Sequence, residues 1–153
     1  MRRDDGAILI RSPYALPPYP TKLTERLVHW ARRAPERTFM AQRDAAGAWR
    51  TLNYEQTLTR VRAVGQALLN RNLSAERPIA ILSENGLEHA LLAAAAMHVG
   101  LPYAPISPAY SLVSTDHAKL RSVLSLLSPG LIFAAQGDRY ARLWASWQAG
   151  LVA

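Results

Sequence analysis

Residues 93–111 read AAAAMHVGLPYAPISPAYS, and the order of residue types in that stretch decides the fold. Four small residues, Ala93 to Ala96, predict a tightly packed helix. Gly100 then supplies the left-handed turn that closes a helix without a β-carbon clash, and Pro102 prevents the helix from restarting. Tyr103 to Ile106 follow as a short apolar strand that breaks on Pro105 and Pro108 into an exit loop. Helix, glycine stop, buried strand and loop in succession make a unit of an α/β fold.

The flanks extend the same alternation. Upstream, Pro78 to Leu82 (PIAIL) is an uninterrupted apolar run of the kind found in strands buried on both faces, and Ser83 or Asn85 is the expected cap of the helix Leu87–Val99. Before it, Asn53 and Gln56 have capping-box spacing. Leu58, Val61, Gly65, Leu68 and Leu69 line one face of a helix reaching Asn72. A mid-helix glycine costs about 1 kcal/mol against alanine, so Gly65 predicts a close-packed neighbour. Downstream, Ser114 or Thr115 is the expected cap of a helix holding Leu120, Val123, Leu124 and Leu127, stopped at Ser128-Pro129-Gly130. Leu131 to Ala134 is a further strand, and Asp138 is the expected cap of a last helix with Tyr140, Leu143, Trp144 and Trp147. The reading is α/β: a mostly parallel sheet with covering helices.

The N-terminal part reads differently. Ile8-Leu9-Ile10 has strand character, and Pro13, Pro17, Pro18 and Pro20 impose an extended lead-in over residues 1–20. Thr21 is the expected cap of a helix with Leu23, Leu27, Trp30, Ala31 and Ala34 on one stripe, ended by Pro35. Thr38 to Asp44 and Ala48 to Leu52 read as a hairpin turning at Ala45-Ala46-Gly47.

Composition bounds the function. The chain has 153 residues, half of them hydrophobic and 19% charged, which suits one globular domain. Cysteine is absent, which removes disulfides, thiolate nucleophiles and cysteine-based zinc sites. Behind Arg2, Arg3, Asp4 and Asp5 no apolar leader follows, and the apolar run Ala90 to Met97 is too short to span a bilayer. A cytoplasmic location is the expectation. The net charge of +7 comes from the first half, since residues 78–153 hold four basic and four acidic side chains. The arginines are dispersed, with Arg2-Arg3 and Arg32-Arg33 the adjacent pairs. Arg60 and Arg62 fall on different helix faces, so no phosphate-tracking stripe forms. A nucleic-acid partner is not expected.

Three segments carry a resemblance. Thr51-Leu52-Asn53-Tyr54-Glu55 with Leu58, then PIAIL with Ser83, Glu84 and Asn85, then Gly100, Tyr103, Pro105 and Pro108, resemble in order the early segments of the AMP-forming acyl-CoA synthetases, the adenylate-forming superfamily. Asn53 stands where Thr or Ser is usual, and the leucine comes at Leu58, one residue late. Leu23 to Asp44 (LTERLVHWARRAPERTFMAQRD) and Pro102 to Leu120 (PYAPISPAYSLVSTDHAKL) are most similar to the feruloyl-CoA synthases. The resemblance implies an ATP-dependent acid–CoA ligase that activates a ferulate-like hydroxycinnamate through an acyl-adenylate, using ATP, magnesium and coenzyme A. It implies that residues 21–153 form an incomplete N-terminal α/β subdomain, inactive alone and able to self-associate through exposed sheet or core surface. A non-catalytic module docking on a full-length synthetase and a basic nucleic-acid-binding domain are the alternatives.

Candidate catalytic, cofactor-binding and metal residues are none. The family's glycine-rich phosphate loop has no counterpart, because the two closest glycines, Gly130 and Gly137, are seven residues apart. Of the four histidines, His89 and His98 are nine apart on one helix, outside the spacing that shares a metal. His29 and His117 fall on other helices, and Asp116 beside His117 points elsewhere. Ser107, Ser111 and Ser114 lie outside a G-x-S-x-G elbow. Surface or capping roles are expected for these residues, and core packing or a former interface for Trp30, Trp144 and Trp147.

Overall fold

The computed structural model describes residues 4–150, with side chains to Ala145. Trp147 and the Arg2-Arg3 pair fall outside that description. The elements run α1 (Glu25–Arg33), β1 (Thr38–Arg43), β2 (Trp49–Asn53), α2 (Tyr54–Leu69), β3 (Ile79–Ile81), α3 (Leu87–Val99), β4 (Tyr103–Pro105), α4 (Ala109–Leu112), α5 (Ala118–Leu127) and β5 (Leu131–Phe133). A 3₁₀ turn (Gly137–Tyr140) then leads into α6 (Ala141–Gly150). From Asn53 onward the helix–strand alternation expected from the apolar runs is present.

β3, β4 and β5 form a parallel sheet in the order β4-β3-β5, with Ala80 opposite Ala104 on one side and Ile132 on the other. The central strand is apolar on both sides because helices cover both. Ile79 and Ile81 pack with Leu58, Val61, Leu68, Leu92 and Ala96 of α2 and α3. Ala80 and Leu82 pack with Ile106, Leu120, Tyr140 and Leu143. All of residues 79–82 are fully buried. Gly100 closes α3 at φ 79°, in the left-handed region, and the Leu101 N–H returns to the Ala96 carbonyl. Gly65 meets its expected neighbour, since an added Cβ would lie 2.9 Å from Val99 Cγ1.

β1 and β2 form the antiparallel hairpin. Asp44 Oδ1 accepts from the N–H groups of Ala46 and Ala48 at 2.9 Å, and Gly47 takes φ 83°. The capping box at α2 is complete: Asn53 Oδ1 accepts from Gln56 N–H, and Gln56 Oε1 accepts from Asn53 N–H.

Several boundaries differ, each for a local reason. Ile8 makes one isolated bridge and no strand forms over Ile8–Ile10, where Ile8 and Ile10 are exposed. α1 starts at Glu25, four residues after Thr21, because Thr21 Oγ1 donates to the Glu25 carboxylate at 2.7 Å and Lys22 N–H bonds the same oxygen. Leu23 thereby falls in the preceding turn and is exposed, and Trp30 lies at the rim against Tyr54. α2 ends at Leu69, which is exposed, with Asn70 rather than Asn72 closing it. The Ala109–Leu112 turn occupies ground expected to be loop: Ser111 Oγ donates to the Pro108 carbonyl, closing it locally. Asp138 lies inside the 3₁₀ turn that leads into α6, and Gln136 holds that turn's cap position. The start of α5 is held by Ser114 Oγ, accepting from His117 N–H, and Asp116 Oδ1, accepting from Ala118 N–H.

α3 and the turn before α1 meet at His98. Its Nδ1 lies 3.1 Å from Thr24 Oγ1, and its carbonyl accepts from Lys22 Nζ. Burial, then Lys22 and Arg62, hold its pKa below the ordinary imidazole value. The unfolded chain therefore binds the extra proton first as the pH falls. His98 gives its full contribution to stability above the unfolded imidazole pKa, about 6.5, and loses it below. The midpoint of thermal unfolding is expected to drop between pH 7.5 and 5.5, above the main carboxylate range, and His98→Gln is expected to flatten that drop. An unchanged drop in the variant would assign it to another group.

Candidate functional site

The carboxyl ends of the parallel strands converge on one crevice. β3 leads through Ser83-Glu84-Asn85 into α3, which packs on the Ile79/Ile81 face. β5 leads through Ala135-Gln136 into the 3₁₀ turn and α6, where Tyr140 and Leu143 pack on the Ala80/Leu82 face. Adjacent strands that send their chains to opposite faces leave an opening between the two loops, which is where open α/β sheets place ligands.

The opening holds a cavity of about 250 Å³ lined by Gln42 and Arg50 of the hairpin, Ser83, Glu84 and His89, and Arg139. Two ion pairs frame it. Arg139 grips both Glu84 oxygens, at 2.5 and 3.4 Å, and Arg50 Nη2 lies 3.0 Å from Glu88 Oε1. The Glu88 carboxyl is held below the usual range by its own backbone N–H and by Arg50. All four side chains are about half exposed, where such pairs are worth about 0–1 kcal/mol, so they position the loops more than they stabilise the fold.

Beneath them the polar groups are committed. Ser83 Oγ accepts from Ala135 N–H at 2.6 Å, tying the β3 loop to the β5 loop. Tyr140 donates its buried hydroxyl to the Leu82 carbonyl at 2.6 Å. Burial raises the pKa of that phenol, so it stays protonated and is no base. The expected cap of α3 is corrected here. Gly86 occupies the cap position, Ser83 is engaged with β5, and Leu87 N–H is taken by Gln42 Oε1 at 3.0 Å, a side chain 45 residues away.

The other singled-out residues do not converge. His98 serves the α1–α3 contact, His29 stands edge-on to Trp30, and His117 lies with Nδ1 3.4 Å from the Tyr110 carbonyl. Among the described residues no group of three or more His, Asp or Glu side chains stands together to hold a metal. The two guanidinium groups of the crevice each face a carboxylate. Trp144 packs partly buried against the second core.

Residues 27–145 match the AMP-binding enzyme family. No curated protein matches the sequence. Among solved structures, the chain is similar to the fatty acid AMP ligase from Legionella pneumophila, with a TM-score of 0.66 and 15% identity over 76% of this chain and 20% of that one. It is similar to VinN (TM-score 0.66, 21% identity, 84% and 32% covered). A third likeness is to an artificially fused adenylation–PCP di-domain from Klebsiella oxytoca (TM-score 0.61, 18% identity, 77% and 22% covered). The likeness to these structures is one of fold, and the chain spans 20 to 32% of their length.

Proposed function

The chain belongs to the AMP-binding enzyme family, and from that premise we propose that it forms the N-terminal α/β scaffold of an ATP-dependent acid–CoA ligase for a ferulate-like hydroxycinnamate. The observation that carries the reading is the family match across residues 27–145, laid on a parallel sheet that gathers its loops at one crevice. The strings Leu23–Asp44 and Pro102–Leu120 support the hydroxycinnamate. Residues 4–20 are the lead-in, and residues 21–150 supply the helices and strands against which the nucleotide- and acyl-binding parts of a ligase pack. ATP, magnesium and coenzyme A belong to the whole ligase, which acts in the cytoplasm. Among the described residues no helix is long and apolar enough to cross a membrane, and nucleic acid has no part in the reading. The outer edges of β4 and β5 and the exposed Val113 and Leu126 support self-association of the chain by itself.

Two measurements test the proposal. The 153-residue chain, given ferulate, ATP and magnesium, is expected to release no pyrophosphate above a blank. Grafted in place of the equivalent segment of a hydroxycinnamate–CoA ligase, it is expected to give a folded enzyme that forms the acyl-adenylate. Pyrophosphate release by the chain alone would overturn the scaffold assignment. A folded but inactive graft would overturn the ligase assignment.

A further inference from the structure

Residues 13–20 read PYALPPYP, and their backbone has little freedom. Proline fixes its own φ near −65° and biases the residue before it to extended ψ. Leu16 to Pro20 are thereby held toward the polyproline II helix, which advances about 9 Å per three-residue turn. Pro17 and Pro20 lie one turn apart and share an edge. The prolines leave the segment rich in carbonyl acceptors and poor in N–H donors. It is also uncovered upstream, where Tyr14 and Leu16 are 84% and 82% exposed. Docking such a segment costs little ordering, because it is extended beforehand, and the surface that receives it is a strip of aromatic rings.

The same chain carries such a strip. His29, Trp30, Tyr54 and Phe39 follow one another with ring centroids 5.2, 6.2 and 4.7 Å apart. Tyr54 is anchored against the first core, while Phe39 and Trp30 are 43% and 36% exposed. One polyproline turn crosses about two of these ring-to-ring steps. Arg32 and Arg33 line an opening with His29 and carry donors for the carbonyls of a proline-rich segment. The His29 end of the row already has prolines beside it, since Pro18, Tyr19 and Pro20 of the chain itself line a cavity with His29, Glu25 and Arg26. From there the chain turns into α1, and the exposed Trp30 and Phe39 continue the row beyond it. We propose that Trp30, Tyr54 and Phe39 receive the proline-rich lead-in of a second copy of this chain, with Leu16-Pro17 and Tyr19-Pro20 lying across the rings. A second copy fits better than a foreign peptide because one two-fold axis fills both rows with two identical segments. The assignment is independent of the ligase reading.

The probe is a synthetic peptide of residues 11–22, RSPYALPPYPTK, titrated into the ¹⁵N-labelled 153-residue chain. The indole N–H resonance of Trp30 is expected to shift saturably, while that of Trp144, packed against the second core, stays in place. A peptide carrying Pro17→Ala and Pro20→Ala is expected to bind about tenfold more weakly, because it loses both the ring contacts and the preformed helix. Sedimentation supplies the second reading. The chain is expected to dimerise, excess unmodified peptide to dissociate the dimer, and the Pro17→Ala/Pro20→Ala chain to dimerise about tenfold more weakly by the same reasoning. No saturable Trp30 shift at millimolar peptide, or equal binding of the two peptides, would overturn the aromatic row as the site. A chain that binds the peptide but stays monomeric would overturn the second copy as its occupant. Association untouched by the peptide and by the proline substitutions would assign it to the sheet edges instead. If the substituted chain does not fold, the two peptides on the unmodified chain decide together with the competition experiment. None of these readouts involves adenylation, so failure here leaves the ligase assignment standing, and failure of the graft leaves this surface standing.

Discussion

Replacing Ile81 with alanine is expected to lower the free energy of unfolding by about 2–5 kcal/mol. Ile81 is fully buried in the middle strand of the sheet, in one cluster with Val61, Leu68, Leu92 and Ala96. Removing three carbons there forfeits their transfer from water and leaves a cavity that the surroundings fill poorly. Helices press on β3 from both faces, and β4 and β5 hold its register from both sides. Three residues of strand offer little freedom to collapse inward. Leu126→Ala is the matched control: the side chain is 86% exposed and should change stability by no more than about 0.5 kcal/mol. Urea titration followed by circular dichroism measures both, with the slope unchanged if only the folded state is affected. Equal midpoints for the two variants would mean that the α2/α3 side of the sheet is not a packed core.

The same strand shows what the sequence reveals and what it withholds. PIAIL announces burial on both faces because every residue in it is apolar, and the structure buries each of Ile79 to Leu82. Asn53 with Gln56, Gly47 and Gly100 were legible for a similar reason: their chemistry acts within four residues of the backbone it satisfies. The mistaken caps share the opposite property. Ser83 has the right chemistry for a helix start, but a backbone N–H 52 residues away claims its hydroxyl, and a glutamine 45 residues upstream serves the helix instead. Leu23 and Trp30 obey helical spacing, yet burial of a stripe depends on what lies opposite, and α1 offers only part of that stripe to α2. The crevice follows the same logic. Its framing pairs, Arg50 with Glu88 and Arg139 with Glu84, span 38 and 55 residues. The topology β4-β3-β5 brings Arg139 to Glu84, and the packing of the β1–β2 hairpin against α3 brings Arg50 to Glu88.

Gly130→Ala is expected to destabilise the chain by about 1–3 kcal/mol, the usual cost of forcing an extra methyl into a filled space. Sequence alone makes Gly130 part of a helix stop, but its backbone is not in the left-handed region, and conformational freedom is not what requires glycine there. The requirement is proximity. A Cβ would stand 2.7 Å from Leu73 Cδ2 and 3.1 Å from both Arg77 Cβ and the Arg77 carbonyl oxygen, while the Gly130 N–H donates to the Pro78 carbonyl at 2.9 Å. That hydrogen bond begins the β3–β5 pairing, so while rotation of Leu73 can relieve the first contact, relieving the two at Arg77 moves the backbone that aligns the two strands. Gly65 provides the contrast. Its added Cβ meets one Val99 methyl at 2.9 Å with the Ala95 carbonyl oxygen next at 3.8 Å, and alanine in mid-helix regains about 1 kcal/mol. The two terms at Gly65 oppose each other and leave a small net change of either sign, whereas at Gly130 no helical gain offsets the clash. Urea midpoints of the two variants should therefore separate, with Gly130→Ala well below the unmodified chain and Gly65→Ala near it. A Gly130→Ala protein as stable as the original would show that residues 73–77 shift at no cost and do not fix the alignment of β5 on β3.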